Sequence, residues 1–366
     1  MLSGPVTLHN GMWLYLLESV VFPMEVAHHD RVKLLPMHRV ATVQPFTRFL
    51  ADVGVSIERS FQQAGLPYCA LESVDNYVPS QHFWSFLVNM AYSQGIEDLG
   101  FRVGQRFGAS SPDPHMASLL RSSPTMYRGL LKASAMVNKT VTNCRFGIHQ
   151  PTDCNYSLFY HQPSCSADNP AVEQIGWYGL MALLDMVRVF TGPQWKPTEI
   201  GIMTDRSPGH NIREQFPQTR IRQLQPYSYV MIENPLLSLP PLADKDPAPD
   251  SSSIHYKPLP GDLVEALEQL MLSYGQEFDL SVEFVASLCN TSKRTLQRQL
   301  KEKGTHYSEL LVLARYRAAC HMLQAPGLKV TDIAHRLGYS DLASFSRAFR
   351  SIAGVTPRAY RQQYIH

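Results

Sequence analysis

Residues 332–350 read DIAHRLGYSDLASFSRAFR, and the fold turns on how this stretch is parsed. Two apolar stripes flank Gly338, Tyr339 and Ser340, and the arginines keep to one side. At about 100° per residue, Phe345, Ala348, Phe349 and Ile352 fall on one helix face. Ala343, Arg347 and Arg350 fall on the other. Ser340 and Asp341 predict an N-cap and a first-turn acid, while Gly354 and Pro357 predict the stop. Upstream, Ile333, Ala334 and Leu337 mark a shorter helix over 332–337, capped by Thr331 and ended by Gly338. Two helices joined by a tight, glycine-containing turn make a helix-turn-helix, whose second helix fits the major groove of DNA.

The pattern recurs 48 positions earlier, in SVEFVASLCNTSKRTLQRQLKEKG at residues 281–304. Ala286 stands where Ala334 stands, and Asn290 where Gly338 stands. Both Asn and Gly tolerate the left-handed backbone that such a turn needs. Ser292 is the expected cap of the following helix and Gly304 its end. Leu296 and Leu300 face inward there, leaving Arg294, Gln297, Arg298 and Lys301 outward. Between the motifs, residues 307–323 form a helical stretch with Leu310, Leu311, Ala314, Ala318 and Leu323 as its inner stripe. Such a helix of roughly 17 residues spans about 26 Å. That length suits two recognition helices set about 34 Å apart, one turn of duplex. Arg pairs bidentately with guanine O6 and N7, so Arg298 and Arg347 are the expected base readers, with Arg294 and Gln297 beside them. Ser344 is placed to touch phosphate or base. Lys293, Lys301, Lys303, Arg350 and Arg358 suit phosphates or plain solubility.

These residues resemble the DNA-binding domain of the AraC/XylS family of bacterial transcriptional regulators. The resemblance rests on SKRTLQR (292–298), ARYRAACHML (314–323) and VTDIAHRLGYSDLASFSRAFRSIAGVTPRAYR (330–361). Ile-Ala, Gly-Tyr, Phe-Ser-Arg-x-Phe and Gly-x-x-Pro all occur without a gap. The departures are Asn290 in the first turn and the apolar pair Leu342 and Ala343, where some relatives carry polar base readers. Residues 40–242 are similar to the sensory domain of one AraC subfamily, through AGLPYCAL (64–71), DLGFRVGQRF (98–107) and SSPTMYRGLL (122–131). The resemblance implies a mainly α chain: a mixed α/β regulatory domain followed by an all-α domain with two helix-turn-helix motifs, 281–303 and 330–353. It implies double-stranded DNA and RNA polymerase as partners, with a small-molecule effector or a homodimer acting through the first domain; the alternative is a ligand-independent DNA-binding regulator whose first domain is a protein-interaction module. Activation is the expected sense of regulation.

A chain of 366 residues holds two domains, each large enough for its own core. The net charge of +2 hides an asymmetry: residues 291–366 carry 13 Lys and Arg against 4 Asp and Glu, the rest 20 against 27. A basic end on an acidic body fits a nucleic-acid-binding module attached to a regulatory one. Residues 234–261 contain seven prolines and three consecutive serines, which propagate neither helix nor ladder. The expected division is therefore an N-terminal extension (1–39), a regulatory domain (40–233), this linker (234–261) and the DNA-binding domain (262–366). The apolar stretch from Gly11 is interrupted by Glu18, Pro23 and Glu25, so it is read as neither a membrane span nor a signal peptide. Met37 is an alternative start. In the regulatory part, helices are expected over 43–64, 81–95, 125–141 and 172–191. A hairpin is expected from 144–150 to 156–162, with later strands at 201–205 and 227–232.

Cys144, His149, Cys154, His161 and Cys165 crowd into 22 residues, but their spacing is not that of a structural zinc site. They are read as hairpin residues in a reducing cytoplasm, with neither metal nor cofactor expected. No G-x-S-x-G, Walker loop, HExxH or dinucleotide-binding glycine pattern occurs, so catalysis is not expected.

Overall fold

The structure, a computed structural model, describes residues 35–107, 114–141, 144–242, 260–275, 277–324 and 327–364. The apolar stretch from Gly11 and residues 243–259 of the proline-rich segment lie outside the described residues.

β1 (Met37–Arg39) is buried and pairs antiparallel with β2 (Tyr77–Pro79), so these three residues belong to the folded body and not to an extension. The single helix expected over 43–64 is two. In α1 (Val40–Asp52), Val43, Phe46, Phe49 and Leu50 share one buried face. The chain then turns: Val55 N–H bonds back to Leu50 O and Gly54 N–H to Ala51 O, a pair of bonds that ends a helix. α2 (Ile57–Gln63) starts afresh after Ser56. A 3-10 turn (Tyr68–Glu72) leads to β2 and α3 (Ser80–Ser93), whose Phe83 and Phe86 meet Phe46 and Phe61 edge to face.

A second layer follows. α4 (Leu99–Phe107), α5 (Pro114–Arg121) and α6 (Met126–Thr140) surround α7 (Val172–Thr191), which matches its expected span. α7 is apolar almost all round because it is sandwiched between α4 and a five-stranded sheet. The sheet has the order β3-β4-β7-β5-β6. The expected hairpin is present as β3 (Cys144–His149) and β4 (Tyr156–Pro163), and Phe159, Val230 and Ile200 face α7 from successive strands. The strand expected at 201–205 is instead β5 (Glu199–Gly201), and β6 (Arg220–Arg222) joins it in parallel after α8 (His210–Gln215). β7 (Ser228–Glu233) sits in the middle. A 3-10 turn (Asn234–Ser238) buries Leu237, and Leu242 N–H bonds to Val189 O, so the proline-rich segment begins seated on this layer.

The remaining elements are all helical: α9 (Leu263–Tyr274), α10 (Val282–Leu288), α11 (Lys293–Glu302), α12 (Tyr307–Gln324), α13 (Val330–Arg336), α14 (Leu342–Ala353) and α15 (Pro357–Tyr364). α9 packs on α12 with one face and on β2 and the 68–72 turn with another. There Tyr274 hydroxyl donates to Gly65 O at 3.0 Å and Tyr77 N–H to Ser273 Oγ at 3.3 Å. This is a mainly α chain with a mixed α/β N-terminal body and an all-α C-terminal end.

Candidate nucleic-acid interface

The two turns are built alike. Asn290 (φ +49°) and Gly338 (φ +75°) both take the left-handed conformation, as their matched positions required. In one turn Thr291 N–H bonds to Ala286 O; in the other Tyr339 N–H bonds to Ala334 O, each at 3.0 Å. Small residues at 286 and 334 let each following helix lie across the preceding one. Arg315, from α12, lies over the Tyr339 ring at 5.4 Å and beside Gly338, tying the connecting helix to the second turn.

Caps fix where each helix starts. Ser281 accepts from Phe284 N–H and Ser292 from Thr295 N–H, the latter as expected. The second motif differs from expectation. α13 begins two residues early, at Val330, because Ile333 N–H bonds to Lys329 O; Thr331 is inside the helix and caps nothing. α14 is capped by Asp341 and not by Ser340. Its carboxylate accepts from Ser344 N–H at 2.7 Å and from Ser344 Oγ at 2.8 Å. A carboxylate is the stronger acceptor at the positive end of a helix, and the Ser344 N–H holds the Asp341 carboxyl below its ordinary range.

Inward, Leu296 and Leu300 bury the first recognition helix, while Phe345 and Phe349 bury the second. Ile352, expected on that inner face, is 40% exposed; it sits at the last turn, at the rim of a small crevice that Val312 and Tyr316 of α12 also line. Leu311 is half-buried, and Ala319 and Met322 complete the inner stripe of α12. Outward, Arg294, Gln297, Arg298 and Lys301 are exposed on α11, and Ala343, Arg347 and Arg350 on α14, with Ser344 half-buried. Arg298 has a loose ion pair with Glu302 at 3.7 Å. Lys293 pairs with Glu283 at 2.7 Å, and Lys303 lies 3.8 Å from Asp262 at the start of α9. Arg347 donates to Ser344 Oγ at 3.1 Å, so Asp341, Ser344 and Arg347 form a relay that aims the guanidinium. Nothing in the residue types alone announced that relay.

The Cys/His series does not converge. Cys144 and His149 occupy opposite ends of β3, and His161 is buried against Phe146 on β4. Burial pushes the Cys144 thiol up to about 12 and Cys165 to about 11. Among the described residues no three His, Cys, Asp or Glu side chains are grouped to hold a metal ion. Among them, too, no helix is long and apolar enough to cross a membrane.

Two family models match the chain. The arabinose-binding N-terminal domain of AraC transcription regulators covers residues 54–240, just over half of the sequence, and a helix-turn-helix domain covers 285–363. The chain belongs to the AraC family of transcription regulators. A Mycobacterium tuberculosis HTH-type transcriptional regulator, described as uncharacterised, is 39% identical over 79 residues, 22% of this chain and 23% of its own. The HTH-type transcriptional regulator VirS of the same species is 37% identical over 98 residues, 27% of this chain and 28% of its own. Each alignment thus spans about a quarter of the relative's length. The crystal structure of the transcriptional regulator CdpR from Pseudomonas aeruginosa is 17% identical, covers 88% of this chain and 98% of its own, and has a TM-score of 0.38. Within this AraC-family chain, the exposed α11 and α14 faces fall inside the helix-turn-helix match, and the sheet and α7 fall inside the other.

Proposed function

We propose that this is a sequence-specific DNA-binding regulator that activates transcription, with α11 and α14 as its two readers. The observation that carries this is the pairing of two matched turns with outward cations on both of the helices that follow them. Arg298 and Arg347 read bases; Arg294, Gln297, Ala343 and Ser344 flank them; Lys301 and Arg350 hold phosphates. The 18 residues of α12 give a rise of about 27 Å, suited to successive turns of one face of the duplex. The body spanning residues 40–242 is the regulatory part, binding a small effector, a second copy, or both, and RNA polymerase is the partner at the promoter. The DNA-binding part begins at Asp262, and the protein acts in the cytoplasm.

The test uses the full chain and a random pool of duplex DNA. Iterated selection should return a sequence with two conserved blocks about one helical turn apart. Binding to it should fall steeply with salt, with log K dropping about 0.9 per neutralised phosphate for each tenfold rise in salt. A flat salt response, or a pool that never converges, overturns the reading.

A further inference from the structure

The two recognition helices are chemically unlike. The first turn of α11 offers Lys293 and Arg294, followed by Gln297 and Arg298, all exposed. The first turn of α14 offers Leu342 and Ala343, with Leu342 40% exposed. Two hydroxyls at this end of the helix are already engaged: Ser344 Oγ donates to Asp341 and accepts from Arg347, and Ser340 Oγ donates to Asp341. A groove of about 810 Å³ opens beside Leu342, with Lys329, Thr331, Arg358 and Arg361 on its other walls. Arg361 Nη2 there is buried without a hydrogen-bond partner. An apolar protein partner seated against Leu342 would leave those cations facing it. A phosphate backbone would pair with them and bring the first turn of α14 down onto base edges.

Resting on the DNA-binding reading above, we propose that α14 recognises thymine by its C5-methyl group, with Leu342 as the contacting side chain and Ala343 beside it. Thymine is the only base that presents an apolar group in the major groove. Arg347, held by its relay, reads a neighbouring base by hydrogen bonds, so this helix combines one polar and one apolar contact. α11 reads by hydrogen bonds alone.

The experiment takes the selected duplex and replaces thymine by uracil, one position at a time, which removes the methyl and nothing else. Burial of one methyl is worth about a factor of four in affinity. The full chain should lose about fourfold at one or two thymines and be indifferent elsewhere. Leu342→Ala should bind the thymine duplex several-fold more weakly and lose the uracil penalty at those positions, while Leu342→Met keeps it. Leu342 is at the surface, so melting temperatures of all three proteins should agree. Uniform tolerance of uracil by the wild type overturns the proposal, as does a full uracil penalty in Leu342→Ala. A pool that yields no preferred sequence removes the DNA-binding reading and this one with it, and so is distinguishable from either.

Discussion

The carboxylate of Glu277 accepts hydrogen bonds from the backbone N–H groups of Cys69, at 2.5 Å, and Tyr68, at 2.8 Å. Those amides begin the 3-10 turn of the N-terminal body, and Glu277 lies just past α9, more than two hundred residues away in the chain. One side chain from the C-terminal end therefore caps a turn in the N-terminal one. Together with Tyr274, Ser273 and their partners Gly65 and Tyr77, it makes a polar seam through which the two parts share a register.

Removing that cap should loosen the seam locally. Glu277 is exposed, so Glu277→Ala should cost roughly 1 kcal/mol, about fivefold in local opening. Hydrogen exchange checks this: the Tyr68 and Cys69 amides should exchange about fivefold faster, with amides in α7 unchanged. Equal protection in both proteins would mean that the seam is held by α9 packing alone.

The Cys69 thiol reports on the same carboxylate by a different property. Burial pushes its pKa well above the ordinary thiol range, and the Glu277 charge adds to the effect. Glu277→Gln keeps one carbonyl oxygen, enough for one of the two amides, and removes the charge. Alkylation of Cys69 at pH 8 should therefore be slow in the wild type and several-fold faster in Glu277→Gln, because a lowered pKa supplies more thiolate. Equal rates would show that burial alone sets this thiol.

Acid should destabilise the N-terminal body through two buried histidines. Burial pushes His38 down to about 3, with His161 adding repulsion, and pushes His161 down to about 4. His38 accepts from Trp84 Nε1 at 2.9 Å in its neutral form. The unfolded chain takes up these protons near pH 6.5, and the folded chain refuses them. Stability is therefore complete above about pH 6.5 and declines as pH falls toward 4. At pH 5.5 each histidine contributes roughly 1 kcal/mol to the loss. Melting temperatures at pH 7.5 and 5.5 measure the drop, and His161→Asn should make it shallower.

Periodicity made both helix-turn-helix units legible, because each buries a stripe with a clean period, while α7 was legible by the length of its unbroken apolar run. α4 was not legible as a helix. Its Gly100 and Gly104 leave gaps in any apolar stripe, yet they let α7 approach closely: a Cβ on Gly104 would stand 2.5 Å from Met181 Cβ, and Gly100 N–H donates to Gln174 Oε1. β1, β2, β5 and β6 have three residues each, too few to show a period. The outward residues of the candidate interface followed from the heptad-like stripe of Leu296, Leu300, Phe345 and Phe349. The Asp341–Ser344–Arg347 relay did not, since it depends on which of two adjacent residues caps α14.

Arg298 and Arg347 should behave as readers and Lys303 should not. Arg298→Ala and Arg347→Ala should each lose about 1–3 kcal/mol on the selected duplex and relax preference at particular positions. Lys303 is already near Asp262, so Lys303→Ala should weaken selected and random duplexes alike and only slightly. Ser344→Ala cuts the relay and should reproduce part of the Arg347→Ala loss without changing stability. Competition binding against randomised duplexes decides it. A changed preference in Lys303→Ala, with none in either arginine variant, would reverse the assignment of faces.

Phe345 and Phe349 carry the fold of the second motif. Both are 2% exposed and lie one turn apart, packed in one cluster with Ile333, Leu337, Ala319 and Met322. Tyr339 meets Phe345 at 5.5 Å, and Tyr316 and Tyr360 meet Phe349 at 5.2 and 5.4 Å, so α12, the turn after α13, and α15 all lean on these two rings. Truncating either to Ala leaves a cavity that neighbours from several helices cannot close together, at a cost of about 3–5 kcal/mol. That is a large share of the stability of a small helical unit. The loss should appear as a lower melting temperature and as weaker binding to every duplex, selected or random. Ile352 is the internal control. It belongs to the same apolar stripe by period but is exposed, so Ile352→Ala should stay within about 0.5 kcal/mol of wild type. Arg347→Ala, two residues from Phe345 on the outer face, should melt like wild type while losing specific affinity. A Phe345→Ala protein as stable as wild type would place this ring outside the core and invalidate the register that puts Leu342, Ala343 and Arg347 outward.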